Sequence, residues 1–276
     1  MSDSANDKMS VLGILTSGED SHLQEYKSTV TEIYSSDENL QAELFSSELI
    51  APNKPVYLRT QLQDSQGNAI VQFDWLCEKL MHLIMVSDDL HSFSHLYPTY
   101  KSDGCFDVKA RFLKSGRHTL FSHYKPTDQP EALSVLKVNV PGSTSLSSPI
   151  VDFSSTQSIE NTSVKLCISE RTDNLGEGLT LTFRLRDKTT KVPIQDLQPH
   201  LGNWAYLVMI HRSSNLARED YIYAYAIKGE MPGQLKVITR VPKLGQYKLW
   251  LQFRQNDRVL VAEFWLNFVK KLDLGN

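Results

Sequence analysis

Two histidines carry the strongest chemical suggestion in this chain. His95 stands two residues before Tyr97, so on a strand both side chains share one face. His82 opens the apolar run just upstream, and a hairpin return would bring it beside them. Zinc and copper bind neutral imidazole, with thiolate or carboxylate completing the ligand set. His91, His123, Cys77 and Asp88 are the candidates to complete it. The same residues have a second reading. Imidazole and phenol each offer an apolar body with a polar tip, so His82, His95 and Tyr97 can equally be packed aromatic residues in a satisfied hydrogen-bond network. Catalytic arrangements are missing: there is no GxSxG elbow, phosphate loop, dinucleotide fingerprint or HExxH pair. Ser87 and Asp88 lie near His82 without an evident base and orienting group, so no enzymatic activity is expected.

The elements that must position these residues occur twice. MHLIMVSDDLHSFSHLYPTY (81–100) is answered by AYLVMIHRSSNLAREDYIYAYAI (205–227), and KSGRHTLFSHY (114–124) aligns without a gap on KLGQYKLWLQF (243–253). Lys114 matches Lys243, Gly116 matches Gly245, Phe121 matches Trp250 and His118 matches Tyr247. Upstream, VYLRTQLQDSQGNAI (56–70) resembles LTLTFRLRDKTTKVPI (179–194). Val56, Leu58, Thr60 and Leu62 alternate with polar neighbours, as do Leu179, Leu181, Phe183 and Leu185. That period of two describes a sheet packed on one face and wet on the other. Gly and Asp clusters punctuate the runs, and Pro98 and Pro242 are expected at strand starts or edges, because proline donates no ladder hydrogen bond. The expected fold is all-β, two tandem immunoglobulin-like β-sandwich domains over residues 1–142 and 143–276, joined by the linker PGSTSLSSP (141–149). Residues 38–49 read as a short helix or a strand, and VKLCI (164–168) reads as a strand.

Composition narrows the function classes. A chain of 276 residues with 41% hydrophobic content can build two cores. A net charge of -3 and a pI near 6.2 give no overall basic footprint for nucleic acid, although a basic patch assembled only on folding stays open. The run from Val11 to Leu15 is too short for a signal-peptide core, and no stretch approaches the ~20 apolar residues of a membrane span. If the chain is whole, a cytoplasmic protein is expected. Cys77, Cys105 and Cys167 make an odd count with no CxxC spacing; reduced thiols are expected, with a disulfide or a ligand role as alternatives.

HLIMVSDDL (82–90), FSHLYP (93–98) and GRHTLF (116–121) resemble the motifs of a bacterial β-sandwich family that is often envelope-associated and sometimes linked to copper handling. In the second half YLVMI (206–210), YIYAYA (221–226) and GQYKLWLQF (245–253) carry the likeness. The resemblance covers most of both halves and implies an immunoglobulin-like sandwich. The family's histidines fall at His82, His95 and Tyr97 in the first copy, and at Tyr206, Tyr223 and Tyr225 in the second. One imidazole of three is therefore replaced in the first copy and all three in the second.

The favoured reading is a protein-binding or structural module with a protein partner, a homodimer included, and without nucleic-acid binding or membrane insertion. Trp204, Trp250, Trp265 and the run DYIYAYAI supply interface-type side chains. Trp250 and Trp265 are expected in the core, since each sits in a strand pattern. The alternative is a cytoplasmic zinc or copper protein using His82 and His95, with His91, His123 and Cys77 as further donors.

Overall fold

The computed structural model describes residues 27–28, 32–35, 40–143, 151–169 and 178–269. Val11 to Leu15 and most of the linker lie outside them. The first copy contains β1 (Lys27–Ser28), β2 (Glu32–Ser35), β3 (Leu40–Ser46), β4 (Pro55–Asp64), β5 (Met81–Ser87), β6 (Phe93–Leu96), β7 (Thr99–Tyr100), β8 (Cys105–Arg111), β9 (Gly116–Tyr124) and β10 (Ala132–Val140). The second contains β11 (Thr156–Ile159), β12 (Thr162–Ser169), β13 (Gly178–Asp187), β14 (Leu197–Gln198) and β15 (Ala205–His211). After a short 3-10 turn (Arg218–Asp220) come β16 (Tyr221–Lys228), β17 (Gln234–Arg240), β18 (Gly245–Gln255) and β19 (Arg258–Phe268). The fold is all-β, two tandem immunoglobulin-like sandwiches. The segment left open between helix and strand is strand β3.

In the first copy one sheet runs β1-β3-β4-β8-β7 and the other β2-β10-β9-β5-β6. This is the immunoglobulin arrangement, in which β8 returns beside β4 in one sheet and β9 beside β5 in the other. The second copy repeats the order with one change. β16 pairs with β15 through Tyr221–Ala226 and then with β17 through Ala226–Lys228, welding both layers into one nine-stranded sheet. The aligned position in the first copy is Pro98, which lacks an N–H. The strand there breaks into β6 and β7, one on each sheet.

The alternation read from the sequence places Val56, Leu58, Thr60 and Leu62 of β4, and Leu179, Leu181, Phe183 and Leu185 of β13, inside their sandwiches. Aligned glycines fix where the next strand meets them. Gly104 (φ +73°) and Gly233 (φ +66°) give their carbonyl oxygens to the amides of Leu62 and Leu185. A Cβ at either would lie 2.4 Å from the Leu62 or Leu185 carbonyl oxygen, so only glycine fits. Tyr247, near the start of β18, donates its hydroxyl to the Lys243 carbonyl at 2.9 Å, the tyrosine corner of immunoglobulin-like domains. In the first copy His118 holds that place and bonds the Gly116 carbonyl. Lys114 and Lys243 also do matching work, pairing with Asp89 and Asp220 in the loop that follows β5 or β15.

Two hydrophobic cores fill the sandwiches, one in each copy. A third joins Ile84, Val86, Phe121 and Val135 of the first copy to Tyr206, Val208, Ile210, Trp250 and Trp265 of the second. The two copies therefore pack face to face, through the sheets that carry the motif residues. This explains β5, in which all seven residues are buried: alternate side chains point into the sandwich and into the second copy. No helix among the described residues is long and apolar enough to cross a membrane.

Candidate functional site

Strand register places the motif residues at matching points of the two facing sheets. On β5 His82 lies opposite His123 of β9, and on β15 Tyr206 lies opposite Gln252 of β18. Ile84 pairs with His95 as Val208 pairs with Tyr223. His82, His95 and Tyr97 are thus structurally aligned with Tyr206, Tyr223 and Tyr225, as the sequence alignment had them.

The contacts between the copies obey an approximate two-fold symmetry. His82 stacks on Tyr206, its own counterpart, with ring centroids 5.4 Å apart and planes 12° apart. Phe93 stacks on Trp250 at 4.6 Å, and the mirrored pair, Tyr221 on Phe121, stacks at 5.0 Å. His95 reaches Gln252, while its counterpart Tyr223 packs on His123 with centroids 4.3 Å apart. Even the turns correspond. Cys77 and Glu78 (φ +48° and +64°) form the tight turn before β5, and Leu201 and Gly202 (φ +55° and +73°) form the one before β15. This is the self-complementary geometry of a two-fold dimer, realised inside one chain.

The imidazoles form an ordered chain of hydrogen bonds. Nε2 of His82 lies 2.7 Å from the Leu76 carbonyl oxygen, and Nδ1 lies 2.9 Å from Nε2 of His95. A carbonyl only accepts, so Nε2 of His82 carries the proton and Nδ1 receives one from His95. Nδ1 of His95 is then an acceptor, yet it faces Oε1 of Gln252 at 2.9 Å. Two acceptors cannot share a hydrogen bond. Turning the Gln252 amide about its last bond supplies an N–H, and it is the Gln252 nitrogen that otherwise has no partner. Burial keeps both rings neutral: it holds His82 down at about 4 and His95 well below the usual histidine range. Around them burial pushes Tyr97 up to about 12 and raises Tyr206, Tyr223 and Tyr225 as well. The phenols are uncharged, and no acid or base is poised near neutrality by these shifts.

The proposed metal donors are only partly brought together. His82 and His95 meet, and His123 lies beside them on β9, its Nε2 3.1 Å from Glu131. Burial lowers the His123 imidazole, against the opposing pull of Glu131. Cys77 stands by Tyr225, and burial raises its thiol. His91 packs against Trp265, and Asp88 is held by Arg117 and Thr119. Among the described residues no group of three or more His, Cys, Asp or Glu could hold a metal, and an ion between His82 and His95 would displace their hydrogen bond. The three cysteines are free thiols. Trp250 and Trp265 are buried as expected from their strand patterns, but in the core shared between copies. Trp204 remains at the surface side, with the Lys228 ammonium 3.6 Å from its ring centroid. Sequence reasoning passed over Phe93, Phe121, Ile84, Val208 and Gln252. The available signal was that HLIMV and YLVMI are apolar on both faces, which one sandwich cannot use.

A family model, Domain of unknown function (DUF8832), matches residues 35–141 and again residues 157–270. No curated protein matches the chain. Among solved structures it is similar to a trypsin-activated alpha-2-macroglobulin from Escherichia coli, at 13% identity and a TM-score of 0.27, covering 83% of this chain and 15% of that one. It is similar to a two-domain fibronectin type III segment of chicken tenascin, at 12% identity and a TM-score of 0.23, covering 86% and 98%. It is also similar to the D00-D0 domain of intimin, at 11% identity and a TM-score of 0.23, covering 83% and 99%.

Proposed function

Because the chain belongs to that family of unknown function and carries its domain twice, we propose that it is a non-catalytic protein-binding or assembly module whose two sandwiches act as one body. The observation that carries this reading is the pairing of aligned motif positions across the contact: His82 on Tyr206, Phe93 on Trp250, Phe121 on Tyr221. The face a lone copy would offer to a small ligand is occupied by the other copy. Stacked aromatics inside a buried, self-complementary contact are the features of a lasting interface. A partner would then meet the outer surfaces, held at a fixed spacing.

The alternative, zinc or copper on His82 and His95, competes for the same nitrogens. Untagged protein equilibrated with micromolar zinc or copper(II) and analysed for bound metal separates the two readings. We expect well under one ion per chain, and the same amount in His82→Ala/His95→Ala. One ion per chain, lost in that variant, would sink the assembly reading of this face.

A further inference from the structure

Among the described residues, the charged side chains at outward strand positions of the second sandwich's β12, β13 and β17 are all cationic. Lys165 of β12, Arg184 and Arg186 of β13, and Lys236 and Arg240 of β17 all point away from the core. Lys165 and Arg184 are direct cross-strand neighbours, an arrangement that costs stability because like charges repel across a sheet. Glu230, from the turn before β17, bonds Lys236. No acidic side chain occupies an outward strand position of this face among the described residues. Ile238 and Ile227 stand among the cations, 69% and 56% exposed.

In the first copy the same face is mixed in charge: Arg111 keeps the cation of Arg240, but carboxylates join it. Positions aligned with Lys165, Arg184, Arg186 and Lys236 hold Glu43, Gln61, Gln63 and Asp107, and Arg59 grips Asp107 through two hydrogen bonds of 2.7 Å. Ile238 aligns with Lys109. Five cations gathered on one sheet face favour the approach of an anionic surface from this side.

We infer that this face docks on an anionic lipid bilayer, with the cations against headgroup phosphates and Ile227 and Ile238 entering the interface. The inference goes beyond the assembly reading and does not depend on it. The outward positions of β12, β13 and β17 carry no aromatic ring on which nucleic-acid bases could stack. An exposed aliphatic pair ringed by Lys and Arg is the composition of a membrane-surface contact.

The test is co-sedimentation of the full chain with vesicles of phosphatidylcholine alone or with 30% phosphatidylserine, at about 0.1 M salt. Binding is expected only with phosphatidylserine. Each cation near the surface contributes about fivefold, so Arg184→Gln/Arg186→Gln, which installs the first copy's residues, should weaken it about 25-fold. Ile238→Lys should also weaken it, despite the added charge, and Lys109→Gln on the first copy should not. Absence of binding, equal binding to neutral vesicles, or binding indifferent to the Arg184/Arg186 change would overturn the inference. Tighter binding to a 20-nucleotide DNA, lost in the same variant, would overturn it in favour of nucleic acid.

Discussion

The two copies share a backbone plan and differ in the chemistry of one face. In the first, the sheet that meets its twin carries His82, His95 and His123; in the second, the aligned positions carry Tyr206, Tyr223 and Gln252. Each side chain keeps an apolar ring or stem and a polar end. The exchange changes which atoms donate and accept while leaving the packing intact. The tyrosines complete the contact, as His82 on Tyr206 and His123 on Tyr223 illustrate. The comparison teaches that these positions are best understood as two halves of one interface.

The largest effects should come from the mirrored stacks. Trp250→Ala and Phe121→Ala remove rings at aligned positions, each buried against the opposite copy. Each should cost about 3–5 kcal/mol in urea unfolding. If only one of the two is costly, the contact is not symmetric.

Acid should separate the copies next. The His82 pKa is about 4 in the folded chain against an ordinary 6.5, and His95 shifts in the same direction. Between these values the unfolded chain binds the proton that the folded chain refuses. The stability is therefore present above pH 6.5 and is lost as the pH falls toward 4. His82 alone accounts for about 3 kcal/mol. His82→Tyr, which gives the first copy the second copy's residue, should shrink the fall of the urea midpoint between pH 7 and 4.5 and leave the share of His95. A midpoint already flat in the unchanged protein would contradict the buried neutral pair.

Gln252→Leu sharpens the comparison at smaller cost. It leaves Nδ1 of His95 without a donor and should destabilise by about 1–3 kcal/mol. Gln252→His, the first copy's residue at that place, should recover part of the loss.

Much of the fold was legible before any coordinates. Alternation in β4 and β13 names the residues of their inner faces because one face of each strand meets water. The gapless match of 114–124 with 243–253 reveals the duplication, since both segments build the same strand against the same neighbours. Convergence of His82 and His95 follows from the hairpin between them. The partner of that pair was not legible. HLIMV announces two buried faces but not what covers the second, and Gln252 reaches His95 from 157 residues away. The basic face was hidden for a related reason: Lys165, Arg184 and Arg240 come from three strands, and each alone looks like an ordinary surface charge. Pro98 suggested a strand boundary, but only the uninterrupted β16 shows that it marks the crossing between sheets.

The claim that the copies form one body is tested most directly by residual dipolar couplings of backbone amides in a weakly aligned sample. Both sandwiches should fit a single alignment tensor at pH 7. In Val208→Asp, which places a charge in the shared core, they should need two. Two different tensors in the unchanged protein would contradict the account.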